Sequence, residues 1–274
     1  MTDNNTYNTL IETTTFDEML HVKQYIDMNF DLYDLVFNHF TKEERESVLS
    51  KISSLSKGHE NSLVHIVSDV DDTLFLSMEH ASDNAFDNVN DFHELIRHTS
   101  YSTLLTVRHR KLRNLLKRKL QKMQLLNDGV SVLDYNTSTS EYLFIGLRHL
   151  KTKFNMKLTN SSNTAERPIC HPEHYNLYLN FGQMKYQKFA NYQSLFPEYN
   201  LLFIGDSAQG DVACAKLIHK NFPTKKTFIH NLFKNDEKQD REYSDEEKKI
   251  LQRDFNIYLF ESYADANKII SNYI

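Results

Sequence analysis

Two short segments of this chain concentrate carboxylates directly after apolar runs. Asp69 and Asp71 follow one such run, and Asp206 and Asp211 follow another. Carboxylates held close together repel one another, so their pKa values would rise unless a cation were bound. Mg²⁺ prefers such hard oxygen ligands and is usually held by one or two carboxylates together with phosphate and water. One acidic turn alone would read as a solvated turn or helix cap, but two of them at strand ends favour a magnesium site.

The elements that must position these carboxylates alternate between strands and helices. Apolar runs predict five strands, at 63–67, 101–106, 130–133, 201–204 and 227–230. Helices are predicted at 109–124, 139–152, 184–196, 209–220 and 257–272. This alternation predicts an α/β fold with a Rossmann-like, doubly wound parallel sheet. In such sheets a site forms outside the carboxyl ends of the strands, where both acidic segments fall.

The first 60 residues read differently from the rest of the chain. Residues 1–14 are polar, and we expect them to be disordered. Residues 15–57 predict two or three helices, and Thr41 followed by Glu44 has the spacing of a capping box. The sequence therefore predicts an N-terminal helical extension at 1–60 and an α/β domain at 61–274.

Bulk composition limits the possible roles. The 274 residues carry a net charge of -5, which argues against a nucleic-acid partner bound over the whole surface. Two cysteines are too few for a disulfide framework, and the polar N-terminus lacks the pattern of a signal peptide. No apolar run approaches the roughly 18 residues needed to span a bilayer. We therefore expect a cytoplasmic protein whose membrane contact, if any, is peripheral.

The segment VSDVDDTL resembles the first motif of the haloacid dehalogenase superfamily. The resemblance implies a Mg²⁺-dependent phosphatase in which Asp69 is the nucleophile and becomes an aspartyl-phosphate. Asp71 would be the general acid that protonates the leaving alkoxide and later activates water, and its backbone carbonyl would also bind the metal. Thr73 would orient the loop beside the substrate. Asp206 would be the metal ligand of the fourth motif, and Asp211 a second ligand or its support.

Two further motifs of that superfamily contact the phosphoryl group. The second motif is a Ser or Thr at the end of the second strand, where this chain has Thr106. The third is a lysine that neutralises the phosphoryl charge, and both Lys185 and Lys188 lie on the helix before the fourth strand. Lys185 is preferred because it lies eleven residues before Phe196, which resembles the spacing in a narrower family.

That narrower family is the yeast actin-patch phosphatidate phosphatase family. The segments SDVDDT and FPEYNLLFIGDSAQGD resemble its first and fourth motifs, and the resemblance covers about 63–232. It implies hydrolysis of phosphatidate or a related phosphomonoester lipid. The chain departs from the family at Thr106-Val107-Arg108-His109, where a Ser-Asn-Ser-Pro-like motif is usual. A soluble phosphomonoester such as a nucleotide or sugar phosphate is therefore the alternative substrate, and a non-catalytic binding module is the alternative to an enzyme.

The segment 108–122 carries eight basic residues and no acidic one. They are Arg108, Arg110, Lys111, Arg113, Lys117, Arg118, Lys119 and Lys122. A basic amphipathic helix can lie on an anionic membrane, or it can pack on a sheet with its charges in water. Arg108, at the start of this helix, is a candidate ligand for the phosphate group of the substrate.

Overall fold

The sheet of this protein has six strands, all parallel, in the order β3-β2-β1-β4-β5-β6. The computed structural model describes residues 3–70, 73–74, 86–99, 101–106, 113–125, 129–132, 175–207, 210–231 and 243–273. Within them the strands are β1 Leu63–Asp69, β2 Tyr101–Thr106, β3 Gly129–Val132, β4 Tyr199–Asp206, β5 Thr227–His230 and β6 Ile257–Phe260. The expectation of an α/β fold with a parallel sheet is confirmed, and the five strands that the sequence predicted all form.

The sixth strand corrects the sequence-based expectation for the C-terminus. A single helix was expected at 257–272, but Ile257–Phe260 is β6 and the helix begins at Tyr263. Asn256, at φ 52°, ends the preceding helix in a left-handed conformation, and the Ser262 side chain caps the next helix. Four residues are too few for periodicity to separate strand from helix. Pairing with β5 decides the conformation.

The helices in the described ranges precede the first strand, connect the strands and follow the last one. They are α1 Asp3–Glu12, α2 Phe16–Phe30, α3 Leu32–Asp34, a π-helical turn Leu35–His39, α4 Lys42–Leu55, α5 Val89–Thr99, α6 Arg113–Lys122, α7 Tyr175–Leu195, α8 Asp211–Asn221, α9 Asp245–Phe255 and α10 Tyr263–Ile270. The predicted capping box of α4 is confirmed, since Thr41 and Glu44 each accept a backbone N–H. The helix expected at 139–152 lies outside the described residues. None of the helices described is long and apolar enough to cross a bilayer.

Successive side chains of a strand belong alternately to two hydrophobic clusters, one on each face of the sheet. In β4, Phe203 belongs to the first cluster and Leu202 and Ile204 to the second. Helices α1, α2, α4, α7, α8 and α9 contribute to the first cluster, and α5, α6 and α10 to the second. A strand buried on both faces has to be apolar throughout, which explains why the sequence reads as continuous apolar runs. Both faces are therefore covered, as a Rossmann-like fold requires.

The N-terminal helices fill a gap that the sheet topology leaves. The crossovers through α5 and α6 both lie on the second face, so the first face over β2 and β3 needs another cover. Helices α1, α2 and α4 share one hydrophobic cluster with the sheet there. The expectation of disorder at 1–14 is wrong from Asp3 onward, because Asp3–Glu12 is helical and its Leu10 is fully buried.

Strand β4 lies beside β1, although three crossovers separate them in sequence. The crossover through α7 carries the chain from β3, at one edge, back to the centre of the sheet. The strand order therefore reverses between β1 and β4. Ligands of open parallel sheets bind at the carboxyl ends of the two strands that flank such a reversal.

Candidate active site

The two strands at the reversal point each end in an aspartate. Asp69 is the last residue of β1 and Asp206 the last of β4, and the strands are in register through Ser68 and Ile204. Both carboxylates are almost fully buried. Their proximity follows from parallel pairing, because adjacent parallel strands bring their carboxyl ends to the same edge. Local sequence thus supplies each aspartate and the sheet brings them together.

Asp211 opens α8 and is tied to the end of β4. The backbone N–H of Asp206 donates to Asp211 Oδ2 at 3.0 Å. Gly205 permits this turn, because a Cβ at that position would lie 2.6 Å from the Cβ of Asp211. A side chain on residue 205 would therefore displace the carboxylate. Asp211 is also the first residue of α8, and negative charge is favourable at a helix N-terminus.

Lys185 lies on α7, which packs in the first hydrophobic cluster, and its side chain reaches the aspartates at the ends of β1 and β4. Its Nζ lies 3.0 Å from Asp69 Oδ1 and also donates to Asp211 Oδ1, and its side chain is fully buried. Gly182 lets α7 approach α8, since a Cβ there would lie 3.0 Å from the Cβ of Ala213. Burial alone would lower the pKa of Lys185, but the negative charges of the three aspartates outweigh it and raise that pKa above its ordinary value. Lys185 is therefore held as an ammonium.

Lys188, the alternative lysine, lies outside this group. It is buried one turn further along α7, with Nζ 4.2 Å from the centre of the Tyr33 ring. Burial lowers the pKa of Lys188 to about 8, although Asp31, Asp34 and Asp27 raise it. The structure thus brings Lys185 rather than Lys188 to Asp69.

Asp69, Asp206, Asp211 and Lys185 form what we call the carboxylate cluster. The three aspartates each offer an oxygen, and these atoms lie within 4.8 Å of one another. Three carboxylates around one ammonium leave an excess of two negative charges when all are ionised. This excess and the hard oxygen donors fit Mg²⁺. Both oxygens of Asp211 already accept hydrogen bonds, which favours the supporting role over that of a second ligand.

Thr73 lies beside the nucleophile candidate. Its hydroxyl donates to Asp69 Oδ2 at 3.4 Å, and its own carbonyl accepts from the Tyr263 hydroxyl at 2.7 Å. Burial, together with the charges of Asp69 and Asp206, raises the pKa of Tyr263 well above its ordinary value. Tyr263 therefore stays a neutral donor that fixes the turn after β1. Sequence reasoning missed Tyr263, which lies 190 residues from Thr73.

The remaining predicted site residues divide into one described residue and two that are not. Thr106 is the last residue of β2 and is buried. Since Asp69 pairs with Leu105, Thr106 extends one residue further toward the same edge. Asp71 and Arg108 lie outside the described residues.

Asn231 is a second residue at this edge that the sequence did not indicate. It follows β5 directly, and its backbone N–H donates to the carbonyl of Phe260 at 2.7 Å. Its side chain is buried, and neither its Oδ1 nor its Nδ2 has a hydrogen-bond partner among the residues that the structure describes. Buried amides are normally satisfied, so an unsatisfied one at the carboxyl edge was a signal available only from the fold.

Comparison with known proteins returned no match. Neither the protein-family models, nor the curated proteins, nor the solved structures include one that matches this chain.

Proposed function

We propose that this chain is a Mg²⁺-dependent phosphatase of the haloacid dehalogenase type, with Asp69 as its nucleophile. The observation that carries the proposal is the contact of Lys185 Nζ with Asp69 Oδ1 at 3.0 Å inside a cluster that has excess negative charge. A purely structural cluster would gain nothing from this excess, because buried charges are normally paired. The reversal point of the sheet supports the same reading.

The nucleophile is Asp69. An oxygen of Asp69 attacks phosphorus, the bond from phosphorus to the ester oxygen breaks, and the leaving alkoxide takes a proton from Asp71. Water then attacks phosphorus of the aspartyl-phosphate and gives its proton to Asp71, which releases inorganic phosphate and restores Asp69. Mg²⁺, when bound, would offset the negative charge that phosphate and carboxylates bring together.

The other residues of the site orient and neutralise. Lys185 holds Asp69 by a charge-assisted contact and offers positive charge to the phosphoryl oxygens. Thr73 donates a hydrogen bond to the second oxygen of Asp69. Asp211 accepts hydrogen bonds from Lys185 and from the backbone at the end of β4, and so orients both. Asp206 is the candidate metal ligand, and Asp71 stays a predicted acid and base. Thr106 and Arg108 stay predicted contacts of the phosphate group.

The direct test is hydrolysis of p-nitrophenyl phosphate with Mg²⁺ and with chelator. We expect activity that needs the metal and that Asp69→Asn abolishes, because an amide is a poor nucleophile. Asp245→Asn is the matched control, since its carboxylate is 93% exposed and far from any role proposed here. Full activity of the wild type in chelator, or full activity of Asp69→Asn, would contradict the proposed mechanism. Mg²⁺ binding without turnover would favour the binding module.

The proposed substrate is phosphatidate or a related phosphomonoester lipid. This rests on the resemblance at the first and fourth motifs and on the basic segment 108–122. The test compares phosphate release from phosphatidate vesicles with release from a panel of nucleotides and sugar phosphates. A preference for the soluble phosphomonoesters would agree with phosphatase activity but contradict the lipid substrate.

A further inference from the structure

Asn231 has a buried side chain whose polar atoms the fold does not use. The side chain is only 3% exposed, and no group in the described part of the chain forms a hydrogen bond with its Oδ1 or its Nδ2. A buried amide without hydrogen bonds destabilises a folded protein, so such groups are rare. We therefore expect a bound polar group at this side chain.

The backbone of Asn231 is held by both neighbouring strands. The Ser207 N–H donates to the carbonyl of His230 at 3.0 Å, and the Asn231 N–H donates to the carbonyl of Phe260 at 2.7 Å. The ring of His230 also stacks on the ring of Phe260, with their centres 5.1 Å apart. These contacts extend the sheet by one residue beyond β5, so the direction of the Asn231 side chain follows from strand alternation.

Strand alternation places Asn231 on the same face of the sheet as Ile229, two residues earlier, which belongs to the first hydrophobic cluster. In β1 the same rule places Asp69 on the face of Val67, which belongs to that cluster too. Lys185 reaches Asp69 from a helix that packs in the same cluster. Asn231 thus lies on the side of the sheet from which Lys185 reaches the candidate nucleophile.

Asp206 is the member of the carboxylate cluster on the strand next to Asn231. It pairs with His230, the residue before Asn231. Neighbouring strands lie about 4.8 Å apart and rise about 3.3 Å per residue, so the Cα atoms of Asp206 and Asn231 are about 6 Å apart. Alternation sends their side chains to opposite faces, so a small bound group at the edge of the sheet suits this pair better than a direct hydrogen bond.

We propose that Asn231 is a positioning residue for the metal ion, and that its Oδ1 accepts a hydrogen bond from the hydration shell of Mg²⁺. The inference rests on the metal site of the proposed function. Mg²⁺ gives up its waters reluctantly and usually keeps several of them. Waters on a cation direct their hydrogens outward and need acceptors around them. An amide oxygen is such an acceptor, and it adds no fourth negative charge to the three aspartates.

The test measures Mg²⁺ affinity of the full chain by isothermal titration calorimetry, without any phosphomonoester. Asn231→Leu keeps the branched shape but removes the polar atoms, and it should weaken Mg²⁺ binding about 10–100-fold, as the loss of an outer-shell partner typically does. Asn231→Asp keeps an acceptor oxygen and should bind Mg²⁺ at least as tightly as the wild type. Asn221→Leu makes the same change at an exposed residue at the far end of α8, and should leave the affinity unchanged.

The stability of the metal-free protein distinguishes a metal contact from a structural one. Because Asn231→Leu removes polar atoms that the fold does not use, its melting temperature in chelator should equal or exceed that of the wild type. Added Mg²⁺ should then raise the melting temperature of the wild type more than that of the variant.

Several results would overturn the inference. Wild-type Mg²⁺ affinity in Asn231→Leu would do so and leave the proposed phosphatase untouched. A lower melting temperature of Asn231→Leu in chelator would assign Asn231 a structural contact. Binding by Asn231→Asp as weak as that by Asn231→Leu would exclude the acceptor oxygen as the group that matters. A wild type that does not bind Mg²⁺ would contradict both the inference and the proposed function, whereas a wild type that binds Mg²⁺ without turnover would contradict the proposed function alone.

Discussion

The carboxylate cluster contacts the middle of α7 and the Lys23–Glu198 pair lies at its C-terminal end, and the charges of these two buried ionic groups are balanced differently. Lys23 Nζ donates to both oxygens of Glu198, at 2.7 and 2.9 Å, and to the carbonyl of Leu195 at 2.8 Å. The Ser56 hydroxyl donates to Glu198 as well. This group contains one cation and one anion. The carboxylate cluster has three anions around one cation.

The difference teaches how a structural ionic group and a candidate active site can be distinguished. Burial lowers the pKa of Lys23 to about 8, because one partner does not fully offset desolvation. The pKa of Lys185 is raised despite complete burial, because several carboxylates surround it. The balanced pair joins α2 to the start of β4 and requires nothing further. The carboxylate cluster, with its excess negative charge, could hold a metal ion, as the proposed function requires.

Breaking the balanced pair should have the largest effect on stability. Lys23→Met leaves Glu198 buried without its cation, and we expect the free energy of unfolding to fall by about 3–5 kcal/mol. The measurement is urea unfolding followed by circular dichroism. The double variant Lys23→Met with Glu198→Met, which removes both charges, should recover much of the loss. A loss below about 1 kcal/mol for the single variant would show that the pair is not an essential contact.

The next largest effect concerns activity rather than stability. Lys185→Ala should lose about 2.7–4 kcal/mol of transition-state stabilisation, or roughly 10²–10³-fold in kcat, by analogy with a lost oxyanion donor. Lys188→Ala, three residues along the same helix, is the matched control and should keep kcat within a few fold. Steady-state hydrolysis of p-nitrophenyl phosphate measures both. An inactive Lys188→Ala beside an active Lys185→Ala would reverse the assignment.

The buried carboxylate of Asp27 lies outside both ionic groups, and its raised pKa predicts the sign of a pH dependence. Asp27 accepts from the Tyr192 hydroxyl at 2.6 Å and from the Thr103 hydroxyl at 3.2 Å. Burial, aided by the charge of Asp31, raises the pKa of Asp27 to about 6. Between pH 4 and 6 the unfolded chain has released this proton while the folded protein keeps it. Stability from Asp27 is therefore complete below about pH 4 and is lost as pH rises through 6.

That loss should amount to about 3 kcal/mol, from the two-unit difference in pKa. Because Asp27→Asn cannot titrate, the stability of the wild type relative to this variant should fall across the same window. Urea midpoints from pH 4 to 7 measure the difference. A difference that stays constant with pH would mean that the two states share one pKa at residue 27.

The smallest effect is expected in the carboxylate cluster, and its sign is opposite to that of the same substitution in the Lys23–Glu198 pair. Asp206→Asn should raise the stability of the metal-free protein by roughly 1 kcal/mol, the equivalent of about one pKa unit, because it relieves repulsion among the carboxylates. Glu198→Gln makes the same change from carboxylate to amide but should lower stability, because it deprives Lys23 of its anion. Mg²⁺ should raise the melting temperature of the wild type but not of Asp206→Asn. If both substitutions destabilise the protein in chelator, the carboxylate cluster does not carry the excess negative charge that distinguishes it from the Lys23–Glu198 pair.

Local sequence was enough for the strands and for the acidic ends of two of them. A strand buried on both faces has to be apolar throughout, so β1 and β4 are visible as apolar runs, and Asp69 and Asp206 are visible as acidic residues that follow these runs. The capping box of Thr41 and Glu44 was also predictable, because all its contacts lie within four residues of the chain. Each of these features depends on neighbours in the chain.

Tertiary structure alone decided the rest, because the contacts join residues that are distant in sequence. Lys185 and Lys188 share a helix and a charge, and only packing sends one to Asp69 and the other to the Tyr33 ring. The bond from Tyr263 to Thr73 spans 190 residues. Strand β6 forms because β5 offers an edge. The sequence by itself determined which groups carry the charge, and the fold determined which charges meet, since electrostatic interactions depend on distance in space.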